Sequence, residues 1–178
     1  MTIGKWSALT EATFPPEPLG FPVRFTEVMY DPIGGSEYEF VELQNISQTE
    51  VDLSWHHIKG IDFLFRLQAK LGPGEQILLV NATNPDALAK RYPRLKIYGQ
   101  YIGNLAKGGE KLTLENPLGQ ALVSFKYNDK TPWPSAAAGE GHSLQIIDAL
   151  ANPHPPNKRK TPPPKRGNPG QVCEKFVW

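Results

Sequence analysis

The chain has 178 residues, of which 39% are hydrophobic, 10% aromatic and 21% charged, with 19 basic and 18 acidic side chains. That balance excludes the disordered and supercharged classes for the chain as a whole and makes one globular domain the default. The longest apolar run, residues 77–80, falls far short of the roughly 18 residues a membrane helix needs, so no span is predicted.

The single cysteine, Cys173, excludes an internal disulfide and a multi-cysteine zinc site. Residues after Lys5 are too polar for a secretory signal. Four of the 18 prolines precede residue 23 and seven fall in the last 29 residues. Charge divides similarly: residues 1–149 carry 13 basic and 17 acidic groups, residues 150–178 six and one. The pattern predicts an N-terminal linker at 1–21, a body at 22–149 and a proline-rich basic tail at 150–178.

Along the body the dominant period is two. Strands are predicted at 23–30, 38–46 and 51–58, and then at 61–68, where Ile61, Phe63, Phe65 and Leu67 alternate with Asp62, Leu64, Arg66 and Gln68. A further strand at 75–81 precedes the one expected helix, 84–92. Asn84 can cap this helix, Pro85 suits its first turn, and Leu88 and Tyr92 share a face. Residues 110–115 and 120–127 form a hairpin through Asn116, Pro117, Leu118 and Gly119, and 142–147 reads as the last strand. Turn clusters at 31–35, 71–74 and 132–141 make an antiparallel sandwich the economical fold. Its single core is expected to gather Phe25, Phe40, Phe63, Phe65, Leu112, Leu114, Val123 and Phe125.

Several side chains invite a chemical reading. Strict alternation puts Glu27 on the face of Val23, Phe25 and Met29, and Glu42 on that of Tyr38 and Phe40. Two inward carboxylates are what a glycosidase requires. A bulge or local hydrogen bonds would instead make them structural, and that reading is preferred because burying unsatisfied charge is costly. His56 and His57 are neighbours, so on a strand they diverge and make a poor metal pair. No nucleophile elbow, phosphate loop, EF-hand or zinc-helix motif occurs, and Cys173 in the tail lacks a fixed basic partner. No catalytic residue, metal or cofactor is therefore expected. Lys158, Arg159, Lys160, Lys165 and Arg166 offer charge to phosphate, the one route to nucleic acid. The aromatic candidates for a ligand or interface are Trp133, held between prolines in a loop near Tyr127, and Tyr98 and Tyr101, flanking a glycine in another loop.

The strands carry an ordered set of motifs: Phe-Thr-Glu-Val-Met-Tyr-Asp-Pro at 25–32, Glu-Phe-Val-Glu-Leu-Gln-Asn at 39–45 and Val-Asp-Leu-Ser at 51–54. After residues 60–65 come Pro-Gly-Glu at 73–75, Arg-Tyr-Pro at 91–93 and Gly-Gln-Tyr-Ile-Gly-Asn-Leu at 99–105. Gly-Gly-Glu at 108–110, Trp-Pro at 133–134 and Gly-Glu-Gly-His-Ser-Leu at 139–144 complete the set. Together they resemble the lamin tail domain, especially its bacterial members, over about 23–148, with a weaker echo at 167–171. The resemblance implies an immunoglobulin-like β-sandwich without an inter-sheet disulfide and without catalytic residues. In bacteria it implies an accessory module of exported or surface-attached proteins, and in animals the globular tail of nuclear lamins. One departure stands out: where bacterial members read Gly-Trp after Asp-Leu-Ser, this chain reads Trp55, His56 and His57.

The sequence thus predicts an all-β, immunoglobulin-like sandwich with one short helix, serving as a non-catalytic interaction or structural module of a larger exported or surface protein. Its expected partner is a protein or cell-surface component. The alternatives are a carbohydrate-binding module using the exposed rings and, behind it, a hydrolase using Glu27 and Glu42.

Overall fold

The computed structural model describes residues 20–93, 96–146, 159–160 and 169. The linker predicted at 1–21, most of the basic tail, the echo at 167–171 and Cys173 lie outside the described residues, apart from residues 20–21, the backbone of 159–160 and Pro169.

The strands in chain order are β1 (Val23–Met29), β2 (Phe40–Asn45), β3 (Val51–Asp52), β4 (His57–Lys59), β5 (Phe63–Leu64), β6 (Lys70–Leu71), β7 (Gln76–Asn81), β8 (Ile97–Tyr101), β9 (Lys111–Glu115), β10 (Ala121–Lys126), β11 (Leu144–Ile146) and β12 (Arg159–Lys160). Six form one sheet in the order β12-β11-β1-β2-β7-β8, four form a second in the order β10-β9-β4-β5, and β3 pairs with β6. The fold is the predicted all-β sandwich with one short helix.

The helix, α1 (Pro85–Arg91), begins where expected: the Asn84 side chain accepts from the Ala87 amide at 3.2 Å. It connects β7 to β8, and these two strands run parallel, unlike every other pair among the described residues. Parallel neighbours need a crossover connection, which the helix provides. Residues 97–101, expected as a loop around a glycine, are therefore a strand. Their β character depends on a crossover that local alternation does not reveal.

Two other spans differ from expectation. The strand read at 51–58 breaks into β3 and β4 because the chain turns at Ser54 and Trp55, with Trp55 in the left-handed region at φ 61°. Along 61–68, Ile61, Phe63 and Phe65 are buried and Asp62, Leu64 and Arg66 exposed, as alternation predicts. Leu67 points out instead of in, because the chain turns again at Gln68, φ 65°.

The main core lies between the sheets and contains Phe25, Phe63, Phe65, Leu112, Leu114 and Phe125, with Val123 packed against it. Phe40 is a correction. It belongs to a second cluster with Met29, Leu78, Val80 and Leu88, on the opposite face of the six-stranded sheet beneath α1. The glycine at 109 shows why its motif reads as it does: φ is +106°, and a Cβ there would lie 2.5 Å from the Tyr127 carbonyl oxygen. Next to it, Glu110 accepts from the Ala106 amide at 2.9 Å and the Tyr127 hydroxyl at 2.7 Å, tying the loop to the core.

Candidate functional site

β5 and β8 are edge strands of the two main sheets, and they meet at one point. Asp62 and Ile102 exchange two backbone hydrogen bonds, Asp62 N–H to Ile102 O at 3.1 Å and Ile102 N–H to Asp62 O at 3.3 Å. Beyond this pair the sheets part, because β5 continues its ladder with β4 and β8 with β7. The opening is a cleft of about 600 Å³. Asp62 lies at its tied end, Arg66 and Tyr98 at its open end, and Leu64 and Gln100 between them.

The floor of the cleft is the Phe63 ring, which packs edge-on to Phe65 with centroids 4.9 Å apart. Gly99 makes this packing possible, since a Cβ at that position would sit 2.6 Å from the Phe63 ring. The Tyr98 ring leans on Phe65 at 5.9 Å. Partial burial raises its hydroxyl pKa, with Glu75 adding to the effect. The walls keep apolar surface in solvent: Leu64 is 53% exposed, Ile102 68% and Tyr98 38%. Sequence reading missed this group apart from Tyr98. The available signal was Leu64, an apolar residue on the outward phase of an alternating strand.

The other aromatic candidates do not join Tyr98. Tyr101 and Tyr127 are fully buried, Tyr101 in β8 with its ring in the main core and Tyr127 just after β10. Neither offers a ring face to solvent, which corrects their expected position as exposed groups. Burial pushes both hydroxyls well above the ordinary tyrosine range, reinforced by Glu39 beside Tyr101 and Glu110 beside Tyr127. Trp133 is half-buried and packs edge-on to Phe125 at 6.2 Å, so its ring seals the end of the core.

Glu27 and Glu42 are cross-strand neighbours, and both are buried. A bulge between Phe25 and Glu27 shifts the alternation by one residue. Val23, Phe25, Val28 and Tyr30 therefore face the main core, while Glu27 and Met29 face the helix side. Glu42 lies on that same outer face, opposite Leu78 of β7. Placement of Glu27 on the face of Phe25 is thus corrected. Glu27 accepts from the Ser143 hydroxyl, and Glu42 accepts from the Thr26 hydroxyl at 2.6 Å and the Gln76 amide at 3.2 Å. Neither carboxyl opens to solvent, so the two do not make the accessible pair that glycoside hydrolysis needs.

Glu39 is a third buried carboxyl. Its Oε2 accepts from the Leu105 amide at 2.9 Å, the Asn81 side chain at 3.3 Å and the Tyr101 hydroxyl at 3.5 Å. Burial nevertheless outweighs these donors and raises its pKa above the ordinary carboxylate value. The histidines diverge: His56 stacks on Phe21 at 5.7 Å and contacts the Ser54 carbonyl, while His57 lies 3.9 Å from Asp62. Among the described residues no three potential ligands converge as a metal centre.

These ties gather on the motif residues Glu39, at the entry to β2, Glu42, within it, and Glu110, after the paired glycines, with Asn81 at the end of β7 donating to Glu39. The sequence model of the Lamin Tail Domain family matches residues 20–129. The chain belongs to that family. Lamin tail domains are immunoglobulin-like modules of a non-catalytic kind. A search of curated proteins finds no match to this chain. Among the described residues, no helix of this lamin tail domain is long and apolar enough to cross a membrane.

Proposed function

We propose that this lamin tail domain is an interaction module that binds a protein partner for a larger, exported or surface-attached bacterial protein. The observation carrying the reading is the cleft between β5 and β8, where Leu64, Tyr98 and Ile102 keep apolar surface in water beside the charges of Asp62 and Arg66. Exposed apolar groups ringed by polar ones are a common property of binding surfaces. The buried carboxylates, by contrast, are already engaged by internal donors. Export rests on the accessory role of bacterial family members, and a nuclear location is the alternative for a relative of animal lamins.

Carbohydrate binding is the second reading, favoured by the half-exposed Tyr98 ring with Asp62, Arg66 and Gln100 around it. The full chain should be presented to a random-peptide phage library, a glycan array and nucleic-acid titrations at two salt concentrations. A convergent peptide family supports the proposal. Saturable saccharide binding abolished by Tyr98→Ala or Trp133→Ala overturns it in favour of a carbohydrate module. Binding of nucleic acid that collapses with salt assigns the interaction to the basic tail.

A further inference from the structure

We infer that the cleft between β5 and β8 captures an extended polypeptide segment of the partner, added as a strand; this deepens the interaction reading above and rests on it. Residues alternate along an antiparallel ladder between those bonded to the neighbour and those facing away. Phe65 N–H bonds to His56 O, so the preceding residue, Leu64, turns its N–H and C=O away from β4 and into the cleft. On the other wall Tyr101 O accepts from Ala82 N–H, on the β7 side, and Ile102 bonds to Asp62 on the cleft side. Gln100, two residues before Ile102, therefore also turns its N–H and C=O into the cleft.

If the Asp62–Ile102 ladder continued, Leu64 and Gln100 would be its next bonded pair. Among the described residues they are not paired, and neither has another backbone partner on the cleft side. Each wall thus offers an N–H and a C=O with strand geometry. A saccharide makes no regular use of that array, whereas an extended peptide does, alternating its own groups toward one wall and the other.

The opposite edge of the same sheet gives the second observation. There β11 is covered by the chain itself, through antiparallel pairing with β12. At the β8 edge the covering element is missing among the described residues, and residues 97–101 contain no charge or proline to discourage pairing. The side chains then set the peptide's chemistry. Phe63, Leu64 and Tyr98 suit an apolar residue at the centre, and Arg66 at the open end suits an acidic one beyond it.

The probe is the peptide family enriched by the phage library, remade synthetically with single backbone N-methyl groups at each position. The proposal expects losses of about tenfold at alternate positions and little effect at those between, since each blocked N–H removes a hydrogen bond. Gln100→Pro, which deletes a cleft-facing donor, should weaken binding. Arg66→Glu, a change at an exposed side chain, should shift the selected residue from acidic to basic, and it keeps the test valid if the proline variant misfolds.

Enriched peptides that are insensitive to both variants and show no alternation overturn the cleft while leaving the interaction reading intact. Enrichment of no peptide overturns both. Self-association of the chain in sedimentation experiments, abolished by Arg66→Glu or Gln100→Pro, gives the cleft to a second copy and also overturns the proposal.

Discussion

Glu27 and Glu42 stand directly opposite each other across β1 and β2, buried together on the helix side of the six-stranded sheet. Two carboxyls buried in such a position need hydrogen-bond donors to offset their lost hydration. Hydroxyl donors reach one oxygen of each, Ser143 to Glu27 and Thr26 to Glu42. Both hydroxyl-bearing residues are themselves buried, so water does not substitute easily when they are removed.

Thr26→Val and Ser143→Ala should therefore each lower stability by about 1–3 kcal/mol, the usual cost of leaving a buried acceptor without its donor. Urea unfolding of the two variants measures this directly. Losses below a few tenths of a kcal/mol would mean the hydroxyls are incidental to holding the carboxylates.

The two hydrophobic clusters make a second prediction. Phe40 and Leu88 share the cluster beneath α1, while Phe125 belongs to the main core on the other face of the sheet. Residues in one cluster couple, whereas separated ones add to within about 0.5 kcal/mol. A double-mutant cycle with Phe40→Leu and Leu88→Ala should show coupling of at least about 0.5 kcal/mol. The cycle with Phe40→Leu and Phe125→Leu should close near zero. Equal coupling in both cycles would merge the clusters.

How much of this was legible in the sequence follows the range of the forces involved. Alternation alone located Ile61, Phe63 and Phe65 inside, and local capping chemistry located the helix at Asn84 and Pro85. Glu27 departs from strict alternation because a single extra residue in β1 reverses the side chains after it, and no residue type there marks the bulge. Phe40 departs because β2 is buried on both faces, with Val41 and Leu43 toward the main core, so an apolar residue there does not reveal which face it takes. β8 was missed because its pairing is long-range and parallel, set by where α1 returns the chain. The cleft depends on that return: it exists only because β8 lies beside β5. Its residues could not be grouped from sequence, in which Leu64 and Gln100 are far apart.

Trp55 links the sequence departure to a measurable strain. It stands where the resemblance to bacterial members leads one to expect a glycine, its φ is 61°, and its ring is 50% exposed. An L-residue held left-handed costs roughly 1–2 kcal/mol, a cost glycine escapes. Trp55→Gly and Trp55→Ala lose the same ring contacts, so comparing them isolates the backbone. The glycine variant should be the more stable by about 1 kcal/mol, reversing the order seen at ordinary positions. Thermal unfolding with alanine above glycine would show that the turn relaxes at no cost.

The last prediction concerns Glu39 and pH. Its carboxyl is held by the Leu105 amide, Asn81 and Tyr101, with Lys107 also favouring its charged form, yet burial is the largest influence and raises its pKa. In the unfolded chain the group titrates near its ordinary value of about 4.3. Between that value and the higher folded one, the folded state binds more protons than the unfolded state. Stability contributed by this group must then fall as pH rises, being fully present below the unfolded value and lost through the folded one. Glu39→Gln keeps an acceptor for the Leu105 amide but cannot titrate. The stability of the wild type relative to this variant should therefore be greatest in mild acid and decline toward neutrality. Chemical denaturation of both proteins across that interval tests the sign. A difference that grows with pH would mean the donors and Lys107 outweigh burial, and that Glu39 is held as a carboxylate.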